Sequence, residues 1–579
     1  MSGTGGDDDA PLARRPGHDG DDARLVRAGN DKGLTLGEKV AAGVRRIGYA
    51  TALYRIRLRG HFPLKLLAVP IDPHPGDRGI GEKIVAGRLP HGAHNAAART
   101  VRFDDPAAPA AWRDWANSFA WLRDLATATD RVGGAKVAEP LMARWLAAHA
   151  EFNAAVWRAD LVGLRLLYWT AYAPYILSSA DLVYRSAVLN VMARSARHLD
   201  RAVDKLPDGP ARVTATCGLV VAGLLIPGGD GRLAHGEALL VRALDAVLLD
   251  DGGIVSRSPY GQLELLELLL FVKASYDARA MQPPTALAAA VARLVPAIKS
   301  VAMGDGGLGH WHGGSAARPE RVERALKLSG VMARPPRAAG ASGYQRLAAG
   351  SVILVADAGP PPVARAAALA HAGTLAFELS DGLQRLVVNC GGSQGLPRPL
   401  DPELAAALRT TAAHSTLILA DTNSTRIRSD GALGRGVEEV VANRQESEEG
   451  SWLDLRHDGY VRRFGVRHIR RLFLSADGND LRGEDTLEAV GDRRRRAARS
   501  FDVRFHLGAG VEATPTGGGM GALLKLPDGR LWQFKARGGT LAIDDSLWID
   551  LDGKPRATQQ LVLSSGGDGV NWSFKRAGH

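Results

Sequence analysis

Apolar residues in the first half of the chain recur at every third or fourth position. Between about residues 35 and 330 this spacing is visible in Trp112, Trp115 and Phe119, and it predicts amphipathic helices. Short breaks that contain Gly and Pro, such as 207–210, divide the stretch into segments of helix length. Successive helices of similar length joined by short turns predict helical hairpins arranged around an axis, as in an α/α toroid.

The second half of the chain shows a period of two. From Tyr344 onward, short runs that alternate apolar residues with polar residues or Arg, such as 351–355, are separated by Gly, Asp and Asn. Many strands with no helical pattern between them predict an antiparallel β-sandwich. Residues 333–343 are rich in Pro and Gly and predict a linker. The predicted fold class is multidomain α + β, with an α/α toroid over 35–330 followed by an antiparallel β-sandwich over 344–579.

The first 33 residues predict a disordered tail. They combine Gly, Asp, Pro and Arg with almost no large apolar side chains. Such a segment cannot bury enough surface to offset the entropy that ordering costs. We therefore expect the folded part of the chain to begin near residue 35.

The composition is that of an ordinary globular protein. The chain has 579 residues, of which 45% are hydrophobic and 23% are charged. Its two cysteines, Cys217 and Cys390, lack the number and spacing of a disulfide framework or a zinc motif, so both are predicted to be free buried thiols. No apolar run is long enough to span a membrane and no signal peptide is recognisable, so we expect a soluble and, by default, cytoplasmic protein.

An excess of positive charge favours an acidic partner. The chain has 73 Lys and Arg against 62 Asp and Glu, a formal charge of +11. This charge suits nucleic acid, a membrane surface or an anionic polysaccharide. The one dense basic run, Arg493 to Arg496, lies in no recognisable nucleic-acid-binding module, and a solvated loop accounts for it. We therefore expect no nucleic-acid partner, and the sequence leaves the oligomeric state open.

Two blocks of the sequence carry a resemblance to a known family. The first is a predicted helix over 235–249, the loop from Asp250 to Tyr260 and a second helix over 262–270; the second comprises 371–382, 385–391 and 409–417. Together they resemble a bacterial branch of the heparinase II/III family of polysaccharide lyases, in which an α/α toroid precedes a β-sandwich. The resemblance implies β-elimination of an anionic, uronic-acid-containing glycan, either heparin- or heparan-like or a bacterial polysaccharide.

This chemistry needs a base for the C5 proton, an acid for the departing oxygen and a group that neutralises the sugar carboxylate. The resemblance implies that Tyr and His supply the first two, and it points to Tyr260 and His371 as the catalytic residues. Tyr260 stands one position earlier than the family's tyrosine, so a packing or cleft-lining tyrosine is the alternative. In the family's His-x-His-x-Asp block, His371 matches the second histidine, whereas Leu369 and Gly373 replace the other two residues.

Several further residues are candidates for substrate binding. Arg257 could bind a carboxylate, with a structural arginine at a helix start as the alternative. The family's carboxylate-binding Asn–His pair is missing from 210–216, where Arg212 and Thr214 are the polar groups that could replace it. His310, Trp311 and His312 place an aromatic ring between two histidines, as a sugar-stacking site would, and the alternative is a surface loop. For the tryptophans at helical spacing, core packing is favoured over sugar binding.

No cofactor is required for this chemistry, but the resemblance implies a structural zinc site in the sandwich. The corresponding positions are His371, Asn389 and His414. Asn is a weaker zinc ligand than Asp because its amide oxygen is neutral. A hydrogen-bonded polar cluster with the same geometry is therefore the alternative.

Two functions follow from the sequence. The first is a polysaccharide lyase whose partner is an anionic polysaccharide. The second is a non-catalytic glycan-binding or surface-polysaccharide assembly protein on a degenerate lyase scaffold, which the missing Asn–His pair, Leu369 and Asn389 favour. The resemblance also implies the periplasm or cell envelope, in contrast to the cytoplasmic location expected from the missing signal peptide.

Overall fold

The chain folds into a helical half followed by a strand-rich half, as the two hydrophobic periods predict. The computed structural model describes residues 23–27, 33, 35–49, 51–315, 317–396, 398–491, 500–550 and 552–577. The basic run from Arg493 to Arg496 lies outside the described residues, as do residues 1–22 of the predicted tail. In the described part, no helix is both long and apolar enough to cross a membrane.

Helices form the first half, and acidic side chains cap several of them. Asp130 accepts a hydrogen bond from the Gly133 N–H at 2.8 Å, and Asp181 accepts one from the Val183 N–H at 2.8 Å. These caps satisfy N–H groups that have no partner inside the helix. The helices are α1 (Leu36–Tyr49), α2 (Ala52–Leu58), α3 (Arg78–Val85), α4 (Ala110–Ser118), α5 (Trp121–Ala128), α6 (Arg131–His149), α7 (Ala159–Ala171), α8 (Ala173–Ile176), α9 (Leu182–Ala202), α10 (Pro210–Leu225), α11 (Asp230–Val247), α12 (Pro259–Ala278), α13 (Thr285–Ser300) and α14 (Pro319–Ser329).

Close helix packing and buried aromatic rings build the toroid core. Helices α7 and α10 cross at Gly163 and Gly218, where a Cβ added to Gly218 would lie 2.3 Å from the Cα of Gly163. The two backbones can therefore touch only because neither residue has a side chain. Most of the tryptophans at helical spacing are buried, which confirms their predicted core role: Trp112, Trp121, Trp145, Trp157 and Trp169.

The second half is an antiparallel β-sandwich. A separate pair of short strands lies in the toroid. Its two sheets enclose an aromatic core in which Phe377 stacks on Trp572, with ring centroids 5.6 Å apart. The strands are β1 (Ala23–Val26), β2 (Arg88–His91), β3 (His94–Ala97), β4 (Tyr344–Ala349), β5 (Val352–Asp357), β6 (Phe377–Asp381), β7 (Gln384–Val388), β8 (Leu417–Leu419), β9 (Glu439–Glu446), β10 (Gly450–His457), β11 (Val466–Ser475), β12 (Asp480–Ala489), β13 (Phe501–Leu507), β14 (Glu512–Pro515), β15 (Gly521–Lys525), β16 (Leu531–Arg537), β17 (Thr540–Ile549), β18 (Pro555–Ser565) and β19 (Gly569–Arg576).

The strand order places sequence-distant segments side by side. One sheet has the order β1-β9-β10-β11-β12-β19-β16-β15-β14, and the other has the order β17-β18-β13-β7-β6-β5-β4, with β8 paired to β13. The hairpin of β2 and β3 stands apart, within the helical half. Short helices α15 (Pro402–Ala407) and α16 (Val461–Phe464) connect strands of the sandwich. The predicted fold class, an α/α toroid followed by an antiparallel β-sandwich, is confirmed.

The predicted disordered tail needs a correction over Ala23–Val26, because these residues form strand β1 at the edge of the larger sheet. Strand β1 pairs antiparallel with β9, and Arg24 forms an ion pair with Glu439 at 2.9 Å. Backbone hydrogen bonds to an existing edge stabilise a strand even where few apolar side chains are present. The tail's composition therefore concealed a strand whose partner lies in the other half of the chain.

The chain passes from the helical half to the strand-rich half between α14, which ends at Ser329, and β4, which begins at Tyr344. The loop before α12 reaches across this junction, since Arg257 donates a hydrogen bond to the backbone oxygen of Ser342 at 2.6 Å. Both cysteines are buried and free, as predicted.

Candidate functional site

A cleft of about 660 Å³ lies between the toroid and the sandwich. Helices α7, α10, α11 and α12 supply its toroid wall, and the segment 363–369 supplies the opposite wall. The hydroxyl of Ser258 caps α12 by accepting a hydrogen bond from the Gly261 N–H at 3.2 Å, which fixes the helix end beside the cleft. Most of the surface is aliphatic, contributed by Leu164, Val213, Val247, Ile254, Val255, Leu265, Leu268, Val363 and Leu369.

A smaller polar chamber of about 200 Å³ lies next to the cleft, inside the toroid. Leu164, Glu264 and Leu268 line both spaces. The charged groups around the chamber are paired: Arg321 holds Glu267 through two hydrogen bonds of 2.7 and 2.6 Å. In the same way Arg123 holds Asp72 at 2.7 and 3.0 Å. The chamber is thus a buried ionic network rather than an apolar void.

Glu264 stands at the boundary between the cleft and the chamber. Its carboxylate accepts a hydrogen bond from the Gln394 side chain at 2.9 Å, and Gln394 in turn accepts one from the Ser258 hydroxyl at 2.8 Å. No cation of the described residues lies within ion-pair distance of Glu264. The residue is exposed to the open space of the cleft, but the protein around its carboxyl group still raises the pKa of that group, despite the charge of Arg321 nearby.

Sequence reasoning missed this acidic site, although the sequence carries a signal for it. Glu264 and Glu267 are three residues apart in an otherwise aliphatic stretch of α12, so they lie on one face of the helix. Acidic residues on the apolar face of a buried helix must be paired or must line a cavity, because burying a lone charge is costly. Here one carboxylate is paired and the other lines the cavity.

Tyr260, predicted to be catalytic, belongs to the ionic network rather than to the cleft surface. Its hydroxyl donates to the backbone oxygen of Gly395 at 3.3 Å and accepts a hydrogen bond from Arg321. The side chain lines neither the cleft nor the chamber, and only 4% of the residue is exposed. Burial raises the pKa of its hydroxyl, although the Arg321 guanidinium opposes this shift. These surroundings fit a packing tyrosine, the alternative that the sequence left open for Tyr260.

His371, the second predicted catalytic residue, is buried with both ring nitrogens in use. Its Nε2 accepts the Gly313 N–H at 3.0 Å, so the proton of a neutral ring sits on Nδ1 and points to Nε2 of His414 at 3.0 Å. His414 completes the chain by donating from Nδ1 to the backbone oxygen of Thr410 at 2.7 Å. Burial lowers the pKa of both rings, to about 4 for His414, which keeps them neutral near pH 7. Neither ring has a nitrogen free for proton transfer.

The predicted zinc ligands do not offer the lone pairs that zinc needs. Asn389 completes the set with His371 and His414, but its amide oxygen accepts the Ser415 N–H at 3.0 Å and its amide nitrogen donates to Glu378 at 3.1 Å. With both histidines bonded as described above, the three side chains fit the hydrogen-bonded polar cluster. Among the described residues, no group of three or more His, Cys, Asp or Glu side chains could hold a metal ion.

Metal analysis can test whether the three predicted ligands hold zinc. Because the ligand lone pairs are occupied, we expect less than about 0.1 zinc per chain in protein purified without chelator, measured by plasma mass spectrometry. Exhaustive EDTA treatment should leave the thermal unfolding curve unchanged. Stoichiometric zinc, with destabilisation on its removal, would contradict this expectation.

Arg257 is a structural clamp between the two halves of the molecule. Its guanidinium forms a buried ion pair with Asp357, and its Nη1 lies 3.0 Å from Nε2 of His312. Further bonds reach the backbone oxygens of Gly359 at 3.1 Å and Pro360 at 2.8 Å. These donors are directed at protein groups, and Arg257 does not line the cleft where a sugar carboxylate would bind.

Arg212 and Trp311 also lie away from the cleft surface. Arg212, near the start of α10, pairs with Asp208 at 2.7 Å instead of facing the cleft. Trp311 is 1% exposed, and its ring centroid lies 5.2 Å from that of Tyr344, so no ring face is open to a sugar. His310 donates to Glu378 at 3.0 Å in the same interior. The surface-loop alternative for the segment His310 to His312 is wrong, because the strands of the sandwich cover it.

Several positions where this chain departs from the family pattern face the cleft. Leu369, which replaces the first histidine of the family block, lines it, and so do Val213 and Thr214 from the stretch without the Asn–His pair. Gly373, in place of the aspartate, packs against His414: a Cβ at this position would lie 2.3 Å from the imidazole. The space that an acidic ligand would need is therefore filled by His414.

Comparison with known proteins gives one family and one fold. Residues 331–574 match the family model described as heparinase II/III-like, C-terminal. The protein named FtsZ-localized protein C of Caulobacter vibrioides is 32% identical over 566 residues, which cover 93% of this chain and 95% of that protein. Among solved structures, heparinase III superposes with a TM-score of 0.69 at 12% identity, over 96% of this chain and 93% of that one. A mutant of the heparan sulfate lyase HepC from Pedobacter heparinus gives 0.63 at 13% identity, over 96% and 92%.

Proposed function

Because the chain belongs to the heparinase II/III-like family, we propose that it is a non-catalytic binding protein on a lyase scaffold, and that it localizes with FtsZ. One observation carries the first part of the proposal: the cleft that would hold the substrate has Leu369, Val213 and Thr214 where the lyases place polar catalytic and carboxylate-binding groups. Without those groups the C5 proton stays too weakly acidic for elimination.

The electrostatics of the cleft support the same conclusion. A uronate polymer needs cations along its path, but the cations near this cleft are committed to acidic partners. Arg365 at the rim pairs with Glu38 at 3.3 Å, and Arg321 inside pairs with Glu267. Glu264 adds a carboxylate that would repel an anionic sugar. The net positive charge of the chain therefore does not concentrate where the lyase substrate would lie.

The likeness to FtsZ-localized protein C supports the second part of the proposal. That protein matches 93% of this chain, at more than twice the identity of the solved lyases. We expect a fluorescent fusion of this chain, produced in Caulobacter vibrioides, to coincide with labelled FtsZ. A fusion spread evenly through the cell would contradict the localization. The same images distinguish the cytoplasm from the cell envelope, the two locations that the sequence left as alternatives.

A β-elimination assay tests the absence of catalysis. The purified chain is incubated with heparan sulfate, hyaluronan, chondroitin, alginate and a bacterial capsule extract, and ultraviolet absorbance reports any unsaturated uronate. We expect no increase above the protein-free control, while a commercial heparinase produces a signal from heparan sulfate in parallel. An increase that Tyr260→Phe abolishes would overturn the proposal.

A polysaccharide lyase remains the second candidate, and one arrangement favours it. The Tyr260 hydroxyl, the Arg321 guanidinium and the two carboxylates of α12 form a compact acid–base cluster beside the cleft. For this cluster to act on a uronate, the Tyr260 side chain would have to turn into the cleft. The Tyr260→Phe arm of the assay therefore decides between the two candidates.

A further inference from the structure

The cleft combines a long aliphatic wall with one carboxylate at its inner end. Leu164, Val213, Val247, Ile254, Leu268 and Leu369 supply aliphatic surface, whereas polar groups are confined mainly to the rim and to the boundary with the chamber. A volume of about 660 Å³ is in the range of small-ligand sites. An apolar wall of this kind binds hydrocarbon better than sugar, whose hydroxyl groups would lose their water without gaining partners.

Around the chamber, carboxylates outnumber guanidinium groups. Three carboxylates, those of Asp72, Glu264 and Glu267, surround the chamber together with two guanidinium groups, those of Arg123 and Arg321. Each arginine already holds one carboxylate through two hydrogen bonds. Glu264 is the carboxylate left over, with one amide donor from Gln394 as its partner.

The other charged groups of the cleft do not supply a counter-ion to Glu264. Asp208 at the rim pairs with Arg212, and Arg365 pairs with Glu38. His312 also lines the cleft, but burial and the neighbouring Arg257 guanidinium lower the pKa of its ring. A cation that binds beside Glu264 would therefore have to come from a ligand.

We propose that the cleft binds an aliphatic primary amine, with its hydrocarbon chain along the apolar wall and its ammonium group paired with Glu264. The ammonium donates three hydrogen bonds and compensates the unpaired charge, while the chain removes aliphatic surface from water. The proposal rests on the binding role proposed for the cleft and is independent of localization with FtsZ. It names the class of ligand, which the family resemblance does not supply.

Isothermal titration calorimetry of the full chain with three probes of equal chain length tests the proposal. The probes are n-octylammonium, 1-octanol and octanoate, each kept below its aggregation concentration at pH 7.5. We expect n-octylammonium to bind at least ten-fold more tightly than 1-octanol, because only the ammonium pairs with Glu264, and octanoate to bind most weakly. The peptide N-acetyl-Leu-Lys-Leu-amide is a fourth probe that presents a lysine ammonium.

Three variants test whether the ammonium pairs with Glu264. Glu264→Gln keeps the shape of the side chain and should reduce n-octylammonium affinity at least ten-fold while leaving 1-octanol affinity unchanged. Asp208→Asn is the matched control, since it removes a carboxylate from the rim of the same cleft, and it should change neither affinity. Leu369→Lys, at a half-exposed position of the wall, should weaken n-octylammonium even if the Gln variant folds poorly.

Several results would overturn the proposal. Equal affinity for the amine and the alcohol, or amine affinity that persists in Glu264→Gln, would exclude the pairing with Glu264. Preference for octanoate would mean that the guanidinium groups select the ligand. Preference for the lysine peptide over n-octylammonium would exclude a small amine as the ligand. Failure of every probe to bind would exclude the apolar cleft as a site, without touching the lyase and FtsZ tests.

Discussion

Between pH 7 and 5, three buried histidines are expected to lower the free energy of unfolding by about 6 kcal/mol in total, because they must stay uncharged in the folded chain. Burial lowers the pKa of His198 and His414 to about 4 and that of His506 to about 3. In the unfolded chain each ring has a pKa of about 6.5 and binds a proton below that pH. The unfolded state therefore gains about 2 kcal/mol per histidine at pH 5, and stability is lost as the pH falls below 6.5.

Carboxylates with a lowered pKa change the free energy of unfolding at a lower pH than the histidines do. Hydrogen bonds and the neighbouring cations outweigh the effect of burial on Glu378 and lower its pKa to about 2, so its contribution is lost only below the pKa of about 4.3 that a glutamate has when unfolded. The histidine effect between pH 7 and 5 can thus be measured without interference from this group. A loss of this size is comparable with the whole stability of many domains.

Urea unfolding at pH 7, 6 and 5, followed by tryptophan fluorescence and circular dichroism, measures this loss. His506→Gln should reduce the loss between pH 7 and 5 by about 2 kcal/mol, because its ring no longer takes up a proton on unfolding. His235→Gln is the control, since the His235 side chain is 44% exposed, and it should leave the dependence unchanged. A free energy of unfolding that is flat between pH 7 and 5 would show that these rings are charged, or reach water, in the folded chain.

Removing the Arg257 guanidinium is expected to cost about 3–5 kcal/mol of stability. Asp357 is fully buried, so Arg257→Ala would leave its charge without the main partner and would take the donors away from Ser342, Gly359 and Pro360. The backbone at Arg257 is also in the left-handed region, with φ of 55°, where a residue other than glycine is held by its surroundings. In Arg257→Ala, we expect the toroid and the sandwich to lose contact with each other before either of them unfolds.

A second ion pair across the same junction provides the control. Arg318 and Asp552 lie 3.3 Å apart with side chains that are 61% and 56% exposed. Because water screens this pair, Arg318→Ala should cost less than about 1 kcal/mol. Replacing Arg257 by Met and Asp357 by Asn together should recover part of the loss by removing the buried charge. A cost below about 1 kcal/mol for Arg257→Ala would show that the clamp does not hold the two halves together.

The fold could be predicted from the sequence because each half repeats one hydrophobic period many times. Helical spacing such as that of Trp112, Trp115 and Phe119 and the alternation after Tyr344 each indicate one class of element, and local errors do not change the class. Strand β1 escaped prediction because its stability comes from pairing with β9, which no local pattern records. Edges of sheets are where such non-local pairings are found.

The site could be predicted only as far as the positions that differ from the family pattern. Leu369 and the stretch 210–216 were recognised from the sequence and do line the cleft. The state of His371 could not be foreseen, because its partners are the Gly313 N–H and His414, which the fold brings together. The sequence predicted a sugar-stacking site or a surface loop for Trp311, yet its flanking histidines are held inside by Asp357 and Glu378 from the other half of the chain.

The pairing of strand β1 with β9 also affects the order in which the chain folds during synthesis. Arg24 of β1 pairs with Glu439, 415 residues later in the chain. At 5 to 20 residues per second, a ribosome needs roughly 20 to 80 s to synthesise that interval, so the toroid can fold long before β1 finds β9. During this time the strand has no partner, and its short length and its arginine help to keep it from pairing with other nascent chains. Attachment of β1 therefore has to wait until β9 has been synthesised, long after the toroid residues have left the ribosome.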